Sequence, residues 1–230
     1  MGCFFITMKR LQSGFFLWGI VVILGAVGFF TSPIITDSPP SSLPITAKGG
    51  VEVDFVKQLG IPYTFTKPND LVFTPDGGYF ILMNENERIL QFDHNANLIG
   101  RIGGVFGPMN QPLFQPSGIA TNSTGHLFVA DSGNCRVLIF SPQGEYLKTL
   151  GTVGTGNGEF SVLGDIAING SDYIYIADYG NHRVQIFNPD ATFLKSFGTQ
   201  GSGDGQFSWP RAIAINQSGA VYVGDTLNVS

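Results

Sequence analysis

Cysteine is scarce in this chain: there are two in 230 residues, Cys3 and Cys135. That is too few for a disulfide scaffold or a cysteine-based zinc module. Charge is scarce as well. Only 13% of residues are Asp, Glu, Lys or Arg, and the formal net charge is −5. A nucleic-acid surface needs a basic stripe, and this balance excludes one. What the chain does have is 31 Gly, 13 Pro, 20 Phe and 43% hydrophobic residues. A disordered chain would not carry that apolar content. Many glycines and aromatics with little charge suit an all-β fold with tight turns better than a helical bundle.

No charged residue lies between Arg10 and Asp37. Inside that window Phe15 to Phe30 reads FFLWGIVVILGAVGFF. A spanning helix needs about 20 mostly apolar residues, and Leu11 to Ile35 supplies that length. Lys9 and Arg10 precede it, so the positive-inside rule keeps residues 1–10 in the cytoplasm and sends the rest outward. The expectation is one N-terminal transmembrane helix, a signal anchor, over 11–35. The alternative is a cleaved secretory signal, for which Ala26-Val27-Gly28 is a poor processing site. Residues 36–54 are rich in Pro and Ser and read as a linker. Cys3 lacks the sequence context for lipidation through Gly2, because Ile6 stands where Ser or Thr is required.

The remainder repeats. Asp131, Asp178 and Asp225 follow one another at intervals of 47 residues, as do Ile119, Ile166 and Ile213. Three stretches align: PSGIATNSTGHLFVADSGNCRVLIF from Pro116, LGDIAINGSDYIYIADYGNHRVQIF from Leu163, and PRAIAINQSGAVYVGDTLN from Pro210. An eroded copy, PNDLVFTPDGGYFILMNENERILQF, starts at Pro68. Each copy breaks into short segments rich in Val, Ile, Tyr and Phe, separated by Gly, Asn, Asp and Pro. Four strands per unit of this length mark a propeller blade, whose sheet cannot bury both faces alone and stacks on its neighbours.

The run Asp178-Tyr-Gly-Asn181-His182-Arg183-Val resembles the signature of the NHL repeat. Asp131-Ser-Gly-Asn134-Cys135-Arg136-Val matches it with Cys in place of His, and Asp225-Thr-Leu-Asn228 is a third copy. In the copy from Pro68, Met83 replaces the Asp, while Asn86 and Arg88 remain. The resemblance covers residues 55–230 and implies an NHL-type β-propeller of four-stranded blades, a family of six-bladed rings. About 3.7 units are present, near 68–103, 116–151, 163–198 and 210–230, against roughly 280 residues for a full ring. Phe55 to Gly60 resembles a fourth strand without its blade. The chain is therefore expected to be a fragment of a longer product, with closure by two chains as the alternative.

The Gly-rich loops Gly151 to Phe160 and Gly198 to Phe207 lack the following helix that a phosphate-binding loop requires. They read as connectors whose Phe fills the groove between sheets. His94, His126 and His182 occupy different repeat positions and cannot converge on one metal. No Ser-His-Asp spacing stands out. Second-to-third strand loops and connectors share one face of a propeller, and function usually lives on such loops. The candidate binding residues are accordingly Asp131, Asn134, Arg136, Asp178, Asn181, His182, Arg183, Asp225 and Asn228. A structural role competes at each: Asp and Asn cap tight loops, and Arg reaches a nearby carbonyl or carboxylate. The opposite face carries the sequons at Asn122, Asn169 and Asn216, candidate glycosylation sites in an exported protein.

No catalytic residue, cofactor or metal follows from these patterns. The expected function is a membrane-tethered, extracytoplasmic scaffold that binds a protein, peptide or glycan on its loop face, with no nucleic acid. The alternative is an extracytoplasmic propeller enzyme, a metal-dependent lyase or lactonase-like hydrolase, with its site in the central channel.

Overall fold

The computed structural model describes residues 67–84, 87–103 and 112–226, and the backbone of four short strands before them. The chain forms two compact units, Met1–Phe65 and Thr66–Ser230. In the first unit Phe5–Met8 pairs antiparallel with Ile20–Ile23, and Ile45–Ala47 with Val51–Val53. The helix expected over 11–35 is corrected in its described part, since Ile20–Ile23 is a strand. Ile-Val-Val-Ile is β-branched throughout, which suits a paired strand. The rest of that expected helix lies outside the described residues, as does the fourth-strand copy at Phe55 to Gly60. No helix among the described residues is long and apolar enough to cross a membrane.

The second unit is all β. Its first sheet is an antiparallel meander of Pro68–Phe73, Tyr79–Met83, Arg88–Phe92 and Leu98–Gly103. The second is Gly118–Thr121, Leu127–Asp131, Arg136–Phe140 and Tyr146–Leu150. The third is Leu163–Ile168, Ile174–Asp178, Arg183–Phe187 and Phe193–Phe197. The fourth is described for two strands, Pro210–Ile215 and Val221–Asp225.

Both faces of the middle sheets are buried, and strand alternation divides the side chains between them. From Leu127–Asp131, Leu127 and Val129 pack with Phe80, Leu82 and Ile89 of the first sheet. Phe128 and Ala130 of the same strand pack with Ile166, Ile174 and Ile176 of the third. In turn Ala177 and Val184 face Ile213 of the fourth sheet. The continuous apolar runs LFVA and YIYIA follow from this, because a strand covered on both sides has no solvent face to keep polar.

The connectors complete the interfaces. Phe160 is fully buried between the second and third sheets, and Phe207 packs between the third and fourth. The first-to-second turns close through a left-handed residue: Gly77, Gly125 and Gly219, with φ of 85°, 82° and 84°. Asp172 holds the same place in the third sheet at φ 63°, a conformation that short polar side chains tolerate. The third and fourth strands of each complete sheet meet with a β-bulge, whose extra residue is Ile99, Leu147 or Leu194. All three are exposed. Bulges of this kind twist and blunt an outer edge.

Candidate functional site

The Asp-Asn-Arg loops are built alike. A 3₁₀ turn, Ser132–Asn134 or Tyr179–Asn181, ends in a left-handed residue, Cys135 at φ 50° or His182 at φ 54°. Asp131 is fully buried. It accepts hydrogen bonds from the Phe114 backbone N–H at 2.7 Å, Asn134 Nδ2 at 2.9 Å and Arg136 Nε at 2.7 Å. Asp178, also fully buried, accepts from the Ser161 N–H at 3.1 Å, Asn181 Nδ2 at 2.9 Å, Arg183 Nε at 2.8 Å and Gln185 Nε2 at 3.0 Å. The Asp225 carboxylate accepts from the Ser208 N–H at 2.7 Å. In these three units the Asp thus binds the backbone N–H of a residue 17 positions earlier, at the entry to the first strand.

The remaining donors fasten the connector. Asn134 Nδ2 donates to the Pro112 carbonyl at 3.1 Å, and Asn181 Nδ2 to the Gly154 carbonyl at 2.9 Å. Arg183 Nη2 reaches the carbonyls of Gly156 at 2.7 Å and Glu159 at 2.9 Å. The left-handed position touches the following unit. Cys135 Sγ contacts the Ser161 carbonyl, and the Trp209 N–H donates to His182 Nδ1 at 3.3 Å beneath a ring contact of 4.4 Å. Burial, then the carboxylates of Asp178 and Asp131, push the Cys135 thiol up. The loops therefore join connector, strand and next sheet. Asn228 lies outside the described residues.

The sequon turns lie at the other end of the sheets. Asn122 Oδ1 accepts from the N–H groups of Thr124 at 3.2 Å and His126 at 2.8 Å. Asn169 Oδ1 accepts from Ser171 at 3.0 Å and Tyr173 at 2.9 Å, and Asn216 Oδ1 from Ala220 at 2.8 Å. Each Asn closes its own turn through its oxygen. Asp172 links two turns, accepting from Ser123 N at 2.8 Å and Oγ at 2.6 Å. His94 and His126 sit in separate turns, and among the described residues no three His, Cys, Asp or Glu side chains gather to hold a metal ion.

A different group of side chains surrounds a cleft at the leading ends of the first strands. Successive first strands touch one another, and a cleft of about 1050 Å³ opens where their leading ends converge. Lys67, Asp70, Asp165 and Arg211 line it, with Phe114, Val162 and Tyr179 beside them. Asp70 Oδ2 accepts from the Ile119 N–H of the next sheet at 2.7 Å. Asp165 Oδ2 accepts from Ile213 N–H of its next sheet at 3.1 Å. Each carboxylate also accepts the N–H of its own following residue, Leu71 or Ile166, at 2.8 Å. The intervening repeat position is Gly118, where a Cβ would overlap the Asp165 carboxylate.

These carboxyl groups are unusual. Desolvation moves Asp70 from the ordinary 3.8 up to about 7, helped by the Asp165 charge and opposed by the Ile119 and Leu71 N–H groups. Desolvation also raises Asp165, against the N–H groups of Ile213 and Ile166. Arg211 is exposed at the cleft and engages no acceptor among the described residues. Phe114 and Val162 are 49% and 44% exposed, an apolar shelf beside the charges. The candidate residues chosen from the signature include none of these. The signal was present, however: one repeat position reads Asp70, Gly118, Asp165, Ala212, so carboxylates alternate with the smallest residues.

A family model described as a 6-bladed beta-propeller matches residues 112–184. Among solved structures, the chain is similar to a streptogramin B lyase, with a TM-score of 0.58 and 14% identity over 76% of this chain and 52% of that one. It is similar to a catalytically inactive virginiamycin B lyase from Staphylococcus aureus with quinupristin, at 0.56 and 14% over 78% and 55%. It is also similar to Kuenenia stuttgartiensis hydrazine synthase, at 0.52 and 16% over 72% and 44%. The chain spans about half the length of these structures. At such identities the likeness shows a β-propeller fold and nothing finer. No curated protein matches this sequence.

Proposed function

We propose that this chain is an NHL-type β-propeller module that binds its ligand in the cleft where the first strands converge. One observation carries the reading. The buried Asp, the Asn and the Arg of the signature loops bond to one another and to the protein's own connectors. The cleft instead presents exposed charge and exposed apolar surface together, the composition of a small-molecule or side-chain pocket. Sequons on the opposite rim would leave the cleft open even when glycosylated.

The test is a thermal-shift screen of peptides, glycans and small molecules on the full chain and on Val162→Trp, which fills the cleft from its rim. A ligand that raises Tm of the parent protein and not of the variant supports the reading. Equal shifts in both overturn it. An enzymatic reading is favoured by the raised carboxyl of Asp70 facing Asp165, because perturbed acids in a cleft are a mark of catalytic sites. Turnover of a ligand by the parent protein, lost in Asp70→Asn while that ligand still raises Tm, would select that reading over pure binding.

A further inference from the structure

We infer that the ligand of this cleft is an organic acid with an apolar body, its anionic group held by Arg211 and its body lying on Phe114 and Val162. The inference rests on the cleft being the binding site, and it names the ligand class.

The charged groups facing the cleft are Lys67, Asp70, Glu87, Asp165 and Arg211, with the Tyr179 phenol beside them. They divide by how far their charge is already used. Glu87 Oε1 accepts from the Gln115 N–H at 3.3 Å. Both oxygens of Asp165 and both of Asp70 accept backbone N–H groups. Arg211, in contrast, is exposed and has no acceptor among the described residues. A guanidinium offers a planar fork of donors that fits a carboxylate bidentately. The three acids are held by backbone donors, Lys67 is engaged within the protein, and Arg211 is the cation left to meet the ligand.

Asp70 adds a condition. Burial favours its neutral form up to about pH 7. An ionised Asp70 adds negative charge to the cleft wall and repels an incoming anion, whereas the neutral carboxyl does not. Deprotonation therefore weakens binding, and the affinity of an organic acid falls as pH rises through 7. A cationic ligand would show the opposite slope.

The probe is 1-anilinonaphthalene-8-sulfonate, an aromatic anion whose fluorescence rises on an apolar surface. It is titrated against the full chain between pH 6 and 8.5, with spermidine as the cationic competitor. Circular dichroism confirms that each variant is folded. Arg211→Ala is expected to weaken the probe about tenfold or more, and Phe114→Ala to reduce its emission. Parent affinity is expected to fall several-fold from pH 6.5 to 8, and in Asp70→Asn that slope disappears. Unchanged binding in Arg211→Ala overturns the inference. So does affinity that rises with pH, or displacement of the probe by spermidine. If some other ligand still stabilises the parent but not Val162→Trp, the cleft stands as the site and only the ligand class fails. If Val162→Trp alters no ligand's binding, the cleft itself fails.

Discussion

Asp178 and Arg183 meet side chain to side chain at 2.8 Å across one tight loop, with side-chain exposures of 0% and 13%. Asp131 and Arg136 repeat the contact at 2.7 Å, with 0% and 11%. Four donors converge on Asp178, so removing it strands several at once. Breaking one partner out of a buried pair costs about 3–5 kcal/mol. Asp178→Ala should lose stability on that scale in urea denaturation, with the connector from Gly151 to Phe160 first to gain amide exchange. An Asp178→Ala protein as stable as the parent would remove the bracing role assigned to this loop.

Gly118 and Asp165 define a steric pair at the cleft. A methyl group at 118 overlaps the Asp165 carboxylate, and overpacking of this kind costs about 1–3 kcal/mol. Gly118→Ala should destabilise the protein by that amount. Adding Asp165→Ala removes the obstacle, so the double variant should lose less than the sum of the single ones. A double-mutant cycle measures the coupling, and strict additivity would show that the residues do not touch.

Asp70 makes stability depend on pH in a stated direction. Its folded value, about 7, lies above the ordinary 3.8. Between those values the folded chain holds a proton that the unfolded chain has released. This stabilising share is therefore complete below about pH 4, declines as pH rises toward 7, and is constant above. The limiting slope is about 1.4 kcal/mol per pH unit. Asp70→Asn should flatten this part of the profile in denaturant melts recorded from pH 4 to 8.

Phe160 enters from a connector and is fully buried between two sheets, 5.9 Å from the Phe187 ring. Phe160→Ala leaves a cavity that rigid sheets cannot collapse, for a cost of about 3–5 kcal/mol. Phe160→Leu keeps most of the volume and should cost less than half as much, read from the same melts.

Much of this architecture was legible before any coordinates. The interval of 47 from Asp131 to Asp178 to Asp225 marks the units, and the β-branched runs mark strands covered on both faces. The competing structural role for Asp131 and Asp178 was legible too, because Asp and Asn at fixed offsets cap tight loops wherever they occur. Periodicity and propensity are local properties, so sequence carries them. The segment Ile20–Ile23 shows the boundary of that approach: apolar length argued for a helix, while β-branching suits the strand that forms.

The chain by itself determined its repeat, its strands, and which side chains alternate between one sheet interface and the next. Only the tertiary structure decided that Asp70, Asp165 and Arg211, lying in different units, would surround one cleft, and that Asp70 would hold its proton near neutrality. The reason is physical. A carboxyl group's charge is set by the water removed from it and by the donors brought to it, and here a donor of Asp70 is an N–H 49 residues away.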